Sequence, residues 1–177
     1  ATTQIGKISS PMRDRFGLIQ RLDFFSQSDL VEILERACRL WELEIEEDAV
    51  EALSEASRGT ARVGLRLLRR CRDYAQSHGS DIITKDVVKK TLKLLGTDNQ
   101  GLERIDRIIL KTMLEHFAGG PVGLSTLAAS ISEDENTVAD VYEPYLMKCG
   151  FIKRTSRGRV LTQKGLKYIE SLDEEKR

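Results

Sequence analysis

The stretch Glu143–Thr162, EPYLMKCGFIKRTSRGRVLT, predicts the end of a helix followed by a tight basic hairpin. Gly150 favours a helix end, because glycine readily adopts the left-handed conformation that follows many helix C-termini. The apolar pairs at 151–152 and 160–161 suit two short strands, and Gly158 suits the turn between them. We therefore expect a two-stranded hairpin, which we call the wing.

The wing is strongly basic. Its stretch has one acidic residue, Glu143, against five basic ones: Lys148, Lys153, Arg154, Arg157 and Arg159. A helix followed by a basic two-stranded wing is the arrangement by which a winged-helix domain meets a nucleic-acid backbone. On charge alone, a solvated surface hairpin is an equally good interpretation.

Composition fits a globular protein of one or two domains. The chain has 177 residues, of which 40% are hydrophobic and 32% are charged. Its three cysteines are far apart without a CxxC pair, and it has two histidines, so neither a disulfide framework nor a metal site is predicted. The same cysteine pattern favours a reducing, cytoplasmic compartment. The sequence contains no apolar run long enough to cross a bilayer, so no membrane partner is expected.

The net charge of zero conceals a segregation of charges. Residues 29–55 contain ten acidic residues against two arginines, whereas residues 62–73 contain five arginines against one aspartate. Basic surface is therefore expected in two places, the helix that begins near Arg62 and the wing.

The first part of the chain predicts a small helical domain. Apolar residues at helical spacing indicate four helices between residues 28 and 95, with Ser28 and Thr84 as N-caps of the first and fourth. The turn-rich stretch GTDNQG at 96–101 marks a boundary, so we place this domain at residues 21–97. Residues 1–20 have the character of a remnant of a preceding domain.

The second part, residues 98–177, has the element order of a winged helix. A helix at 102–117, the loop GGPVG, a short helix capped by Ser125 and a helix at 133–148 precede the wing. Pro144 predicts a kink or break in the last of these helices. A final helix follows the wing.

Two arginines suggest half of a nucleotide site, although the chain has no GxxxxGK[ST] phosphate loop. Arg62 lies in the first turn of its helix, where the helix dipole disfavours a cation by roughly 0.3–1 kcal/mol and a bound anion would compensate. Arg15 lies in the turn SPMRDRFG and could reach an anion outside its own domain. Taken singly, each is more often an ordinary surface arginine.

Five motifs together, in this order, resemble the RuvB family of bacterial Holliday-junction branch-migration motors, which belong to the AAA+ ATPases. The motifs are SPMRDRFG, RGTARVGLRLLRRCRDYA, GGPVGLSTLAA, VYEPYLMKCGF and RTSRGR. The resemblance covers essentially the whole chain. It implies a mainly α fold, an AAA+ lid bundle followed by a winged-helix domain, without the part that carries the P-loop.

The resemblance also implies roles for particular residues. Arg15 matches the arginine finger that acts in the neighbouring subunit's site, Thr3 matches the sensor 1 threonine and Arg62 matches sensor 2. Phe25 stands where the family usually has an adenine-side tyrosine. Arg154 and Arg159 match arginines that contact the DNA backbone, and Arg157 shares the basic turn with them. The sequence departs from the family pattern at four positions: Gln4, Phe25, Ala61 and Ser156.

By the same resemblance, the whole protein uses ATP and Mg²⁺, assembles as a homohexamer, and works with RuvA and RuvC on Holliday junctions in the bacterial cytoplasm. This chain by itself is expected to be inactive as an ATPase. The wing turn has no asparagine or glutamine to read an adenine edge, which favours contacts to phosphates over base readout.

Two other functions fit parts of the sequence. A stand-alone winged-helix regulator would read bases through the helix before the wing, but that helix is acidic, with Glu133, Asp134, Glu135, Asp140 and Glu143. A clamp-loader or initiator lid would share the two arginines but would not explain GGPVG and RTSRGR in this order.

Overall fold

The computed structural model describes residues 6, 8–20 and 22–174. The first half contains the following elements: α1 (Ser10–Arg13), α2 (Gln27–Leu40), β1 (Glu44–Ile45), α3 (Glu47–Ala56), α4 (Ala61–Ser77), β2 (Ile82–Ile83) and α5 (Lys85–Leu95). The second half contains α6 (Arg104–Glu115), α7 (Leu124–Ser130), α8 (Glu135–Thr137), a π-helix (Val138–Tyr142), α9 (Glu143–Lys148), β3 (Ile152–Thr155), β4 (Gly158–Leu161) and α10 (Gln163–Glu174). The prediction of a mainly α fold with one basic hairpin is confirmed.

Helix α2 begins two residues earlier than the sequence predicts. Ser26, not Ser28, is the N-cap: its hydroxyl accepts a hydrogen bond from the N–H of Asp29 at 3.1 Å. The carboxylate of Asp29 accepts one from the N–H of Ser26 at 3.0 Å in return. This reciprocal capping box satisfies two backbone donors, which a cap at Ser28 would leave to solvent.

Helices α2–α5 enclose one hydrophobic core. Its largest fully buried side chains are leucines and an isoleucine at 34, 53, 68 and 83. Strands β1 and β2 pair in parallel over two residues each, Glu44 with Ile82 and Ile45 with Ile83. The sequence does not predict this ladder, because two residues are too few to show the alternation of apolar and polar residues by which strands are recognised.

The second core lies between α6, α7, α9, the wing and α10. Phe151, Leu110, Met113 and Leu146 are among its fully buried side chains. The division of the chain at residues 20 and 97 stays a prediction; what the structure adds is that each bundle has a core of its own.

A proline accompanies an irregular turn in the helix before the wing. Pro144 lies in the first turn of α9, where it needs no N–H partner, and the preceding turn widens into the π-helix Val138–Tyr142. The helical backbone nevertheless continues without interruption from α8 through the π-helix into α9, so the irregularity is a widened turn and not a break.

The loop GGPVG pairs with β4 along its edge. Val122 donates its N–H to the carbonyl of Arg159 at 2.9 Å and accepts the N–H of Arg159 at 2.8 Å. Gly120 has a φ of +97°, and a Cβ there would collide with the carbonyl oxygen of Arg159. The glycine is thus required for the close approach. Helix α7 then begins with Gly123 as N-cap, so the predicted cap at Ser125 is wrong.

Burial predicts that replacing two leucines of the first bundle by alanine lowers the free energy of unfolding by different amounts. Leu34 is 0% exposed and Leu94 is 75% exposed. We expect Leu34→Ala to lower the free energy of unfolding by about 2–5 kcal/mol, since it leaves a cavity. Leu94→Ala is the matched control and should stay within about 0.5 kcal/mol. Urea denaturation of the chain measures both, and equal effects would contradict the described packing.

Candidate nucleic-acid interface

The wing places two arginines directly opposite each other. Strands β3 and β4 are antiparallel, and their register pairs Arg154 with Arg159. Like charges at directly opposed positions destabilise a strand pair. A counter-charge is therefore needed beneath them.

Glu143 supplies that counter-charge from the start of α9. Its side chain is 2% exposed. One carboxylate oxygen, Oε1, accepts hydrogen bonds from Arg154 Nε at 3.1 Å and from Arg159 Nε at 3.0 Å. The other oxygen, Oε2, accepts from Arg159 Nη2 at 3.0 Å and lies 2.9 Å from Arg154 Nη2. We call these three residues the Glu143 cluster.

The cluster shifts the pKa values of its members in the expected directions. Burial by itself raises the pKa of Glu143, but hydrogen bonds from both arginines and their charges outweigh burial and leave this pKa below its usual value. The hydrogen bond with Glu143 raises the pKa of Arg154 in turn. The three residues together keep one net positive charge.

The two opposed arginines differ in what they present to solvent. The side chain of Arg159 is 14% exposed, whereas that of Arg154 is 55% exposed. Arg157 lies in the turn between the strands and is exposed, and its backbone N–H donates to the hydroxyl of Thr155 at 3.3 Å. Arg154, Arg157 and, on the opposite face of β3, Lys153 are therefore the exposed basic residues of the wing.

From the sequence, Glu143 is expected to belong to the acidic surface of the helix before the wing. The structure instead buries Glu143 against the wing, so the surface acids before the wing are fewer than expected. The sequence contains one indication that Glu143 is buried, namely its spacing. Glu143 precedes the buried Leu146 by three residues and therefore lies on the same face of the helix. A carboxylate at such a position needs cationic partners.

The structure brings Phe25 next to the turn that starts the Arg62 helix. The N–H of Phe25 donates to the carbonyl of Gly59 at 2.9 Å. Thr60 caps α4 by accepting the N–H of Val63 at 3.3 Å, and Arg62 is exposed in the first turn of that helix. Phe25, which is 44% exposed, and the exposed Arg62 are thus connected through the short turn at Gly59 and Thr60.

Arg15 is exposed in the turn that follows α1, where its N–H donates to the carbonyl of Met12 at 3.3 Å. This position suits a residue that acts outside its own bundle. Thr3 lies outside the described residues. The roles predicted for both stay predictions.

The described residues hold no group of three or more histidine, cysteine, aspartate or glutamate side chains suited to a metal ion. Among the same residues, no helix is long and apolar enough to cross a membrane.

Comparison with known families finds two matching profiles. The RuvB AAA lid domain matches residues 25–98, and the RuvB C-terminal winged helix domain matches residues 99–170. These are the two bundles of the fold, in the same order.

Curated relatives and solved structures agree with the profiles. The "Holliday junction branch migration complex subunit RuvB" of Thermotoga maritima is 47% identical over 96% of this chain, and that of Nitratidesulfovibrio vulgaris is 44% identical over 97%. The chain covers 51% and 54% of these two relatives, so it spans about half of their length. The solved structure of the Thermotoga maritima RuvB branch migration motor superposes with a TM-score of 0.88 at 47% identity, covering 93% of this chain and 55% of that one.

The Glu143 cluster predicts a pH-dependent loss of stability. We expect Glu143→Gln to lower the free energy of unfolding at pH 7 by roughly 3 kcal/mol, because it leaves a half-buried arginine pair without a counter-charge. The pKa of folded Glu143 lies below its usual value of 4.5. Its contribution is therefore complete above that pH and is lost as the pH falls through the lower folded pKa.

Urea denaturation of both proteins at pH 7 and pH 3 measures this effect. The difference between wild type and Glu143→Gln should shrink at the lower pH. Glu170→Gln, on the exposed side of α10, is the control and should show little difference at either pH. A difference that stays constant between the two pH values would contradict the cluster.

Proposed function

This chain belongs to the RuvB family, and on that premise we propose that it is the nucleotide-sensing and DNA-binding half of an ATP-driven motor that moves Holliday junctions. In the whole protein, a P-loop domain would bind ATP and Mg²⁺, and hydrolysis would move the wings along duplex DNA. We propose a ring of six such subunits in the bacterial cytoplasm, with RuvA and RuvC as partners at the junction.

The single observation that carries the DNA-binding role is the arrangement of the wing. Arg154 and Arg157 expose basic groups on a narrow hairpin, and Glu143 holds the guanidinium of Arg154 in place by two contacts. A motor must bind every sequence it passes, which requires phosphate contacts in place of base readout. Arg159 also belongs to the proposed DNA-contacting set, although most of its side chain is committed to Glu143.

The residues near α4 fit one side of a nucleotide. The exposed ring of Phe25 offers a stacking surface for a base, and Arg62 at the helix N-terminus offers positive charge to a phosphate. Thr3 and Arg15 complete the proposed nucleotide-contacting set, Arg15 acting on the γ-phosphate of a neighbouring subunit.

A free-standing regulator is not favoured. It would place the helix before the wing in the major groove, where Glu133, Asp134, Glu135 and Asp140 would oppose the phosphates. A free-standing regulator would also leave unexplained why residues 25–98 match an AAA lid domain.

Arg157 gives the sharpest test of the wing. We expect Arg157→Ala to weaken binding to duplexes of any sequence and to reduce the slope of log K against log salt by about 0.9, the value for one phosphate contact. Fluorescence anisotropy of the chain with a labelled duplex at several salt concentrations measures the slope. Arg157 suits the test better than Arg159, whose loss would also disturb Glu143.

The matched control is Arg39→Ala, which removes an exposed arginine of α2 in the other bundle. Its slope should equal that of the wild type. A wild-type slope in Arg157→Ala would exclude a phosphate contact at the wing turn.

Arg15 tests the nucleotide role. In a protein that joins this chain to a RuvB P-loop domain, we expect Arg15→Ala to reduce ATP hydrolysis by roughly 10³–10⁵ while ATP binding is retained, because an arginine finger stabilises the transition state. A steady-state ATPase assay and an ATP-binding titration measure the two effects. Loss of ATP binding in this variant would argue against action in a neighbouring subunit's site.

A further inference from the structure

Arg58 joins the two bundles through a buried ion pair. Its Nη1 donates to Asp106 Oδ2 at 2.7 Å and its Nη2 to Asp106 Oδ1 at 3.3 Å. The side chain of Asp106 is 0% exposed and that of Arg58 is 12% exposed. The guanidinium also lies 4.4 Å from the ring centre of Tyr145. One side chain of the first bundle thus contacts two helices of the second, α6 and α9.

The backbone at Arg58 is shaped for this contact. Arg58 has a φ of +55° and Gly59 has a φ of +70°, two successive left-handed residues. A residue other than glycine adopts this conformation at a cost, and the surrounding contacts must outweigh it. Asp106 and Tyr145 supply those contacts, so the orientation of the turn and the ion pair depend on each other.

The Arg58 turn is also part of the nucleotide-side surface. Gly59, the next residue, accepts the N–H of Phe25, and Thr60 caps the helix that carries Arg62. A displacement of Phe25 would reach Arg58 through the hydrogen bond to Gly59, and a displacement of the start of α4 would reach it through the three peptide units between Arg58 and Ala61.

On the other side, α9 connects Arg58 to the wing. Tyr145 meets Arg58, and Glu143, two residues earlier, holds Arg154. Because successive helical residues are 100° apart, these two side chains leave α9 in nearly opposite directions. Helix α9 is only six residues long, so it transmits displacement with little room to bend. Tyr145 further donates its hydroxyl proton to the carbonyl of Gln100, which fixes α9 to the connection between the bundles.

Resting on the proposed function, we infer that Arg58 is a positioning residue that couples the nucleotide-side end of α4 to the DNA-contacting wing. Its guanidinium is held by Asp106 and Tyr145, so we assign it an action through these two residues and not through direct contact with nucleotide or DNA. Its effect is to make the two bundles move together. A displacement at Phe25 and Arg62 is then passed by Arg58 to Asp106 and Tyr145. Helix α9, which carries Tyr145, passes it on to Arg154.

The test measures how nucleotide changes DNA affinity in a protein that joins this chain to a RuvB P-loop domain. Duplex affinity is measured by anisotropy with ADP and with a non-hydrolysable ATP analogue, and the ratio of the two dissociation constants is the coupling factor. Couplings between two sites typically lie between 5-fold and 150-fold. We expect Arg58→Gln to bring the factor close to one, with duplex binding itself retained.

Arg66→Ala is the matched control. Arg66 also joins the two bundles, through an exposed ion pair with Glu103 at 3.5 Å, in which the side chains are 61% and 45% exposed. Because exposed pairs contribute little, the coupling factor of this variant should equal that of the wild type. A purely structural role for Arg58 would lower both affinities in parallel and leave their ratio unchanged.

A second variant guards against misfolding of Arg58→Gln. The double substitution Arg58→Met with Asp106→Leu replaces the buried ion pair by an apolar pair, an exchange that proteins often tolerate. It also removes the acceptor of the Glu103 N–H at the start of α6. We expect it to fold, as shown by a cooperative thermal transition, and to lack coupling. A wild-type coupling factor in either folded variant would overturn the role of Arg58. A wild-type protein whose duplex affinity ignores nucleotide would instead overturn the proposed function, and this inference with it.

Discussion

One buried carboxylate, that of Glu143, determines the form of the wing. Antiparallel pairing sets Arg154 against Arg159, and without a negative charge between them their repulsion would oppose the hairpin. Glu143 converts this repulsion into four short contacts and fixes the hairpin to α9. The same contacts direct Arg154 and leave Arg157 free at the turn. The fold and the proposed DNA contacts thus depend on one side chain, which the sequence shows only as an isolated acid in a basic stretch.

Helix α9 has contacts in three directions, which explains why so short a helix matters. Glu143 meets the wing, Tyr145 meets Arg58 and Gln100, and Lys148 lies 4.5 Å from the ring centre of Phe24, next to Phe25. Burial lowers the pKa of Lys148, in keeping with its position between the bundles. The π-helix runs directly into α9, and these contacts hold α9 in its orientation.

Sequence reasoning predicted what is local or periodic. The wing strands, the Gly150 and Gly96 helix ends and the Thr84 cap depend on nearby residues, and the structure contains them. It failed where a partner lies far along the chain. The Arg58–Asp106 pair spans 48 positions, and the β1–β2 ladder is only two residues long on each strand. For the candidate sites, the family resemblance indicates which arginines contact nucleotide or DNA. That Arg159 is mostly buried and Arg154 mostly exposed is visible only in the structure.

The proposed wing binds the DNA backbone without regard to sequence. The most direct test compares the affinity of this chain for three unrelated duplexes of equal length over a range of salt concentrations. We predict equal affinities and a common slope of log K against log salt of about −2 or steeper, since Arg154 and Arg157 would each neutralise a phosphate. One duplex bound about a thousandfold more tightly than the others, the lower limit typical of specific recognition, would contradict it.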